Sequence, residues 1–452
     1  MTSAGDPDLA GRYTSWGRYP RAAPARVSVP AWPTDSLELQ QSDLHALPYG
    51  RGRSYGDSCL NDGGLVVDTH RLDRFIRFDR EGGTLRCEAG VTLASVVDLV
   101  LPHGWFLPVT PGTKFVSIGG AIAHDVHGKN HHRRGTFGRH VRSFELLRSD
   151  GSRLVCSPER NVDLFRATIG GMGLTGLITW AELDLRRVDG PFLDVERRRF
   201  GGLEEFFALA VSSDIDFEYT VAWVDCVARG SKLGRGIFIR GNHSERPGNE
   251  SECRVPKPRH RIRFEFPNRL LNPWSVRLFN TAYFRGHRDR AGPRVEHFDP
   301  FFYPLDGVSD WNRIYGRRGF LQYQCVVPTT TGRNAIQRIL ELVVRHGTGS
   351  FLAVLKVFGD QPSPGLMSFP MPGVTLALDF PVDGGDTMAL LSRCDEIVAE
   401  TGGAVYAAKD ARMSGEHFDR FYPQWRRFAE YVDPRISSDF WRRVTAAEVS
   451  TS

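Results

Sequence analysis

Up to about residue 188 the chain alternates short apolar runs with glycine-bearing turns. Gly64–Asp68 (GLVVD), Thr84–Ala89 (TLRCEA), Phe144–Leu147 and Leu177–Leu185 are short, rich in β-branched or long apolar side chains, and bounded by turn residues. Each predicts a strand. Between them Leu93, Val96, Val97 and Val100 share one helical face behind Thr92, a helix-capping residue type. Val162, Phe165 and Arg166 predict a second short helix, stopped at Gly170-Gly171.

Further along, the period lengthens. Ile336, Ile339, Leu340, Val343 and Val344 form an amphipathic stripe ended by Gly347, with a strand-like run at Ser350–Phe358. Leu390, Leu391, Cys394, Ile397 and Val398 repeat the pattern, ended by Gly402-Gly403 and followed by the apolar run Ala404–Ala408. Another strand, Val374–Val382, lies between these helices. Long strands with accompanying helices predict an antiparallel sheet covered by helices on one face, and an α+β class overall. Residues 241–280, rich in Pro, Arg and Asn, interrupt the pattern and read either as a mobile lid or as a surface insertion without a role.

Composition narrows the function classes. Lys+Arg 58 against Asp+Glu 53 leaves a net charge of +5, too small a surplus for a nucleic-acid binder but compatible with an anionic substrate. The 7 cysteines are scattered with no CxxC pair, which argues against a disulfide framework or a zinc site and for a reducing compartment. No apolar run reaches the roughly 20 residues of a bilayer span, and the first residues lack the apolar core of a signal peptide. A soluble or peripheral protein is expected.

Three glycine-rich stretches carry the chemistry. They are Gly50-Arg51-Gly52-Arg53-Ser54-Tyr55-Gly56-Asp57; Pro111-Gly112-Thr113, continuing through Ser117-Ile118-Gly119-Gly120-Ala121-Ile122-Ala123 to His127-Gly128; and Gly170-Gly171-Met172-Gly173-Leu174-Thr175-Gly176. Backbone N–H groups in such stretches can line a concavity for phosphate oxygens. None has the spacing of a Rossmann fingerprint or a Walker loop. Singly, each also reads as a set of tight turns.

In this order, and with the string HGKNHH at His127–His132, the stretches resemble the vanillyl-alcohol-oxidase superfamily of FAD enzymes. The likeness extends to Trp311-Asn312-Arg313, Phe320–Gln324, Ser368-Phe369-Pro370, Ala408-Lys409-Asp410 and Val432-Asp433-Pro434. It implies a two-subdomain FAD-binding domain formed by residues 1–188 together with a returning part at 405–452. A substrate domain with an antiparallel sheet covered by helices, 189–404, would be inserted between them.

The resemblance places Lys409, Tyr55 and His127 beside the flavin as the catalytic groups. Without it, Lys409 reads rather as a surface lysine after an apolar run, and Tyr55 equally as a structural tyrosine. The implied FAD contacts are Gly52, Arg53, Ser54, Tyr55, Gly56 and Asp57 from the first stretch. From the second come Pro111, Gly112, Thr113, Val116, Gly119, Gly120, Ala121, His124, His127, Gly128 and Asn130. Gly173, Gly176, Ile178 and Tyr406 complete the set. Substrate contacts would come from Lys129, Trp223, Gln322, Gln324, Lys356, Ala377 and Lys409; Gln322 and Gln324 share one strand face. His131 and His132, adjacent and read as strand residues on opposite faces, make a metal site with His127 poor, and no metal is expected.

Arg53 occupies the position of a histidine that bonds covalently to FAD in related oxidases; a guanidinium cannot do so, and noncovalent FAD is expected. Ala377 stands where some relatives carry a pocket cysteine, and Val221 where a serine is usual. The resemblance implies oxidation of the 2-hydroxyl of a polyprenylphosphoryl ribofuranose to a keto sugar. A separate NAD(P)H-dependent reductase would complete epimerisation to the arabinose form. A soluble sugar, alditol or aldonolactone oxidase of the same superfamily is the alternative, and a binding scaffold without turnover a third. The expected location is cytoplasmic or peripheral at the inner face of the cell membrane, with a periplasm-facing site left open.

Overall fold

The computed structural model describes residues 9–35, 43–267, 271–287, 289, 292–383 and 385–449. Parts of the two terminal ranges and of the 241–280 segment therefore lie outside the described residues.

Leu65–Asp68, whose four residues are all buried, forms the centre of a three-stranded parallel sheet between Arg26–Ser28 and Ala46–Tyr49. Burial on both faces suits the unbroken apolar run LVV. A five-stranded antiparallel sheet follows, in the order Phe75–Asp79, Thr84–Glu88, Leu177–Asp184, Val141–Leu147, Arg153–Cys156. The Leu93–Val100 helix starts at Thr92, whose hydroxyl accepts from Ser95 N–H at 3.1 Å, and buries the four apolar residues that the spacing singled out.

The third sheet has eight strands. Their order is Arg294–His297, Phe192–Phe200, Gly236–His243, Tyr219–Val224, Ala353–Phe358, Gly373–Pro381, Phe320–Pro328, Ala404–Val405, all paired antiparallel. Helices Leu203–Ser213, Thr329–His346 and Asp386–Glu400 share one hydrophobic core with its strands through Phe206, Ile336, Ile339, Leu390 and Val398. Gly347 ends the second of these helices at φ 84°, a conformation that costs glycine little.

Two local readings need correction. The run expected as a strand over Ala404–Ala408 pairs only at Ala404–Val405. Beyond it the chain turns, with Lys409 N–H donating to Tyr406 C=O at 2.9 Å, and so reaches the first glycine loop. His131 and His132 lie in a one-turn helix, His131–Arg134, not in a strand. His132 bonds Phe217 C=O at 3.0 Å, while the His131 ring packs against Phe358.

The described part of 241–280 is anchored along its length. Val255 N–H donates to Asp98, His260–Arg261 pairs with Val308–Ser309, and Phe266 N–H reaches Arg313 C=O. It then enters a helix, Pro273–Gly286, closed by an Asn272/Ser275 capping box.

The C-terminal part crosses back to the N-terminal sheets. Ala46 N–H donates to Arg435 C=O at 2.7 Å, and Asp433 accepts from Ser149 N–H. Arg443 bridges Asp57 and Asp410, both almost fully buried.

Candidate active site

A cavity of about 1010 Å³ runs between the glycine loops and one face of the eight-stranded sheet. The three glycine stretches meet at one end of it. Tyr55 N–H donates to Ala408 C=O at 2.9 Å, which clamps the first loop to the turn carrying Lys409. Gly56 makes this approach possible: a Cβ there would stand 1.6 Å from Asp410 O.

Gly52, Arg53, Ser54, Tyr55, Pro111, Gly112, Thr113, Val116, Gly119, Gly120, His124, His127, Gly128, Gly173, Gly176, Ile178 and Tyr406 line the cavity. So do all the residues expected to meet substrate: Lys129, Trp223, Gln322, Gln324, Lys356, Ala377 and Lys409. Four expected cofactor contacts lie behind the wall instead. Gly56 is taken up by the Asp410 backbone and Asp57 by Arg443. Ala121 is fully buried in the hydrophobic core, and Asn130 donates to Pro108 C=O and Glu218.

The loops fit a dinucleotide. Among the described residues, the N–H groups of Gly52, Arg53, Ser54, Gly112 and Thr113 have no acceptor within the protein. Arg51 Nε, Arg53 Nε and Ser58 Oγ, on three residues that line the cavity, are buried without a partner. Unpaired buried donors are costly, and phosphate and ring-carbonyl oxygens would satisfy them. Gly112 and Gly173 face open space where any side chain would intrude. The Arg53 guanidinium lies 4.1 Å from the Trp16 ring centroid.

At the other side of the loops the polar groups converge. Lys356 Nζ is 3.2 Å from His127 Nδ1, and Gln324 Nε2 is 3.0 Å from His127 Nε2 and 3.1 Å from Thr375 Oγ1. Burial, then the Lys356 and Lys409 charges, hold the His127 pKa well below the usual histidine value, so the ring is neutral. Burial lowers Lys356 to about 7, helped by Lys409 and Lys129, and lowers Lys129 to about 7, helped by Arg197. Lys129 Nζ is held by the carbonyls of Phe301 and Phe302. Lys409 Nζ sits 5.2 Å from the Tyr55 ring centroid. Burial lowers its pKa and the Asp379 carboxylate opposes that shift.

Asp379 was not singled out by the sequence. It accepts from Gln322 Nε2 at 2.5 Å and from Tyr315 OH at 3.4 Å, and burial raises its pKa well above that of a free carboxyl. In sequence it is one polar position in the apolar run Val374–Val382, and only the pairing Gln322↔Asp379 brings it under Lys409.

The remaining wall carries an apolar strip beside the charged Arg197, Arg294, Glu296 and Asp306. Val195, Val221, Ile239, Val354, Phe351 and Phe302 form the strip, with Trp223, whose indole N–H donates to Phe351 C=O at 3.0 Å. The cavity thus joins a phosphate-type cradle, a basic polar centre and a greasy extension.

Residues 38–157 match the family model described as an FAD binding domain. The chain is 35% identical to a decaprenylphosphoryl-β-D-ribose oxidase of Mycolicibacterium smegmatis, over 98% of this chain and 99% of that protein. It is 33% identical to a Streptomyces coelicolor protein over 78% of this chain and 100% of the other. A cytokinin dehydrogenase of Oryza sativa is 30% identical over 38% of this chain and 35% of its own length. With the loops, the lysine-lined centre and a full-length relative in agreement, the chain belongs to the decaprenylphosphoryl-β-D-ribose oxidase family and is an FAD-dependent oxidoreductase.

Proposed function

We propose that this enzyme oxidises the 2-hydroxyl of a ribofuranose carried on a polyprenyl phosphate, giving a keto sugar. The observation that carries the reading is the succession of surfaces in one cavity. Lys409, His127, Gln322 and Gln324 stand where a sugar would sit, with Lys129 and Lys356 nearby for a phosphate. The apolar strip beyond them suits a prenyl chain.

Bound FAD supplies the acceptor for the two electrons that leave the carbinol carbon. Gly52–Tyr55, Pro111–Thr113 and Gly173–Gly176 would hold it, and Arg53, unable to form the flavin bond of a histidine, would leave it noncovalent. Lys409 Nζ takes the hydroxyl proton, because burial leaves a usable share of neutral amine near neutral pH. Gln322 and Gln324 orient the ring hydroxyls. Asp379 holds Gln322 and stabilises the ammonium once Lys409 has been protonated. The division into residues 1–188, 189–404 and 405–452 and the two-subdomain cradle belong to the same reading, as does a separate NAD(P)H-dependent reductase acting on the keto product.

Anaerobic mixing tests it. A polyprenylphosphoryl ribose should bleach the flavin and free sugars should not. Bleaching by a free sugar, alditol or aldonolactone alone would replace this substrate with the soluble class.

A further inference from the structure

The Pro273–Gly286 helix has no acidic residue and leaves Trp274 80%, Leu278 73% and Phe279 47% exposed. Trp274 and Leu278 are four residues apart and so lie on one side of the helix. Arg277 and Arg285 are exposed on the same helix. The segment before it adds Phe264, 68% exposed, with exposed Lys257, Arg259 and Arg263. Among the described residues, none of these five cations has an ion-pair partner. Helix and segment meet at one cluster: Ile262, Leu271 and Phe351 all pack against Trp311, Tyr315 and Phe320, and Phe279 contacts Phe351 with ring centroids 5.8 Å apart.

The same place is the mouth of the cavity. Phe279, Gly286, Gly292 and Arg294 line the cavity and are exposed, while Tyr283, one turn on from Phe279, stacks edge-on against Trp223 inside.

We propose that this face docks on a lipid bilayer carrying anionic headgroups. Trp274, Leu278 and Phe264 enter the interface, the flanking cations meet headgroup phosphates, and the cavity mouth is set against the membrane surface. Glu265, beside Phe264, is paired with Arg18. An exposed apolar strip flanked by unpaired cations is the pattern of an interfacial helix. A second copy of the chain is a poor occupant, because a two-fold contact would bring like charges face to face. The inference rests on the lipid-linked substrate reading for its purpose, since a prenyl chain could then pass from bilayer to cavity without crossing water.

The test is co-sedimentation of the full-length holoenzyme, without substrate, with vesicles of phosphatidylcholine alone or mixed with phosphatidylglycerol. Binding to the mixed vesicles is expected, weakened several-fold by added salt and several-fold or more in W274S/L278S. V211S/I215S is the control. Its side chains are 77% and 82% exposed, on and just beyond the Leu203–Ser213 helix, which packs against the far side of the sheet. Unchanged flavin absorbance and melting temperature show that each variant is folded. No binding by the wild type, or equal binding by W274S/L278S, overturns the proposal. So does a wild-type dimer in vesicle-free solution that W274S/L278S dissociates. Vesicle binding without flavin bleaching by a polyprenylphosphoryl ribose would sink the substrate reading and leave the docking surface standing.

Discussion

Asp379, which is buried, is the carboxylate that sets the charge of Lys409, which is half-buried beside the cavity. Burial pulls the lysine below its ordinary value and Asp379 pulls it part of the way back. The neutral amine is the working form, so the rate of anaerobic flavin bleaching by substrate should rise with pH through the Lys409 pKa. Asp379→Asn removes the opposing charge, and that limb should move to lower pH. Lys409→Ala should lower the bleaching rate by about 10²–10⁴-fold while the protein stays yellow. An unmoved limb in D379N would break the link between the two residues.

Arg53 predicts how the flavin is held. Acid or hot-denaturant precipitation should leave the yellow colour in the supernatant. Arg53→Ala, which removes a buried guanidinium stacked on Trp16, should weaken FAD retention measured by ultrafiltration. Colour that stays with the pellet would contradict a noncovalent cofactor.

The joint between the first glycine loop and the Lys409 turn should be intolerant of bulk. Gly56→Ala places a methyl 1.6 Å from Asp410 O and should cost about 3 kcal/mol or more, read as a lower melting temperature with loss of FAD. Arg443→Ala strands Asp57 and Asp410 as buried charges and should cost ~3–5 kcal/mol. Melting curves of the two variants check both.

Ala377 offers a chemical handle. Ala377→Cys would put a thiol on the cavity wall beside the lysines. The native Cys59 also lines the cavity, but burial pushes its thiol up to about 12. A thiol-directed electrophile should therefore label A377C and spare the wild type in intact-mass measurement. Bleaching activity before labelling should remain within several-fold of wild type.

Much of this was legible beforehand, for identifiable reasons. The Leu93–Val100 helix announced itself by Thr92 and its spacing, and the Thr329–His346 helix by its stripe and Gly347. The glycine loops were readable because close backbone approach restricts residue type. Asp379 and Tyr315 were not, since their meaning arises from strand register and a contact 64 residues apart. Gly56, Asp57, Ala121 and Asn130 share the motifs with the lining residues but do not themselves line the cavity. The Pro273–Gly286 helix hid within a Pro- and Arg-rich stretch because its apolar positions face outward as well as inward.

The bond from Tyr55 N–H to Ala408 C=O has a consequence for biogenesis. During translation the first glycine loop precedes its clamp and the amine that works beside it by about 350 residues. A nascent chain stalled before Lys409 can display every glycine loop and still have no working centre. The working centre is therefore complete only when the Lys409 turn folds back onto the first glycine loop.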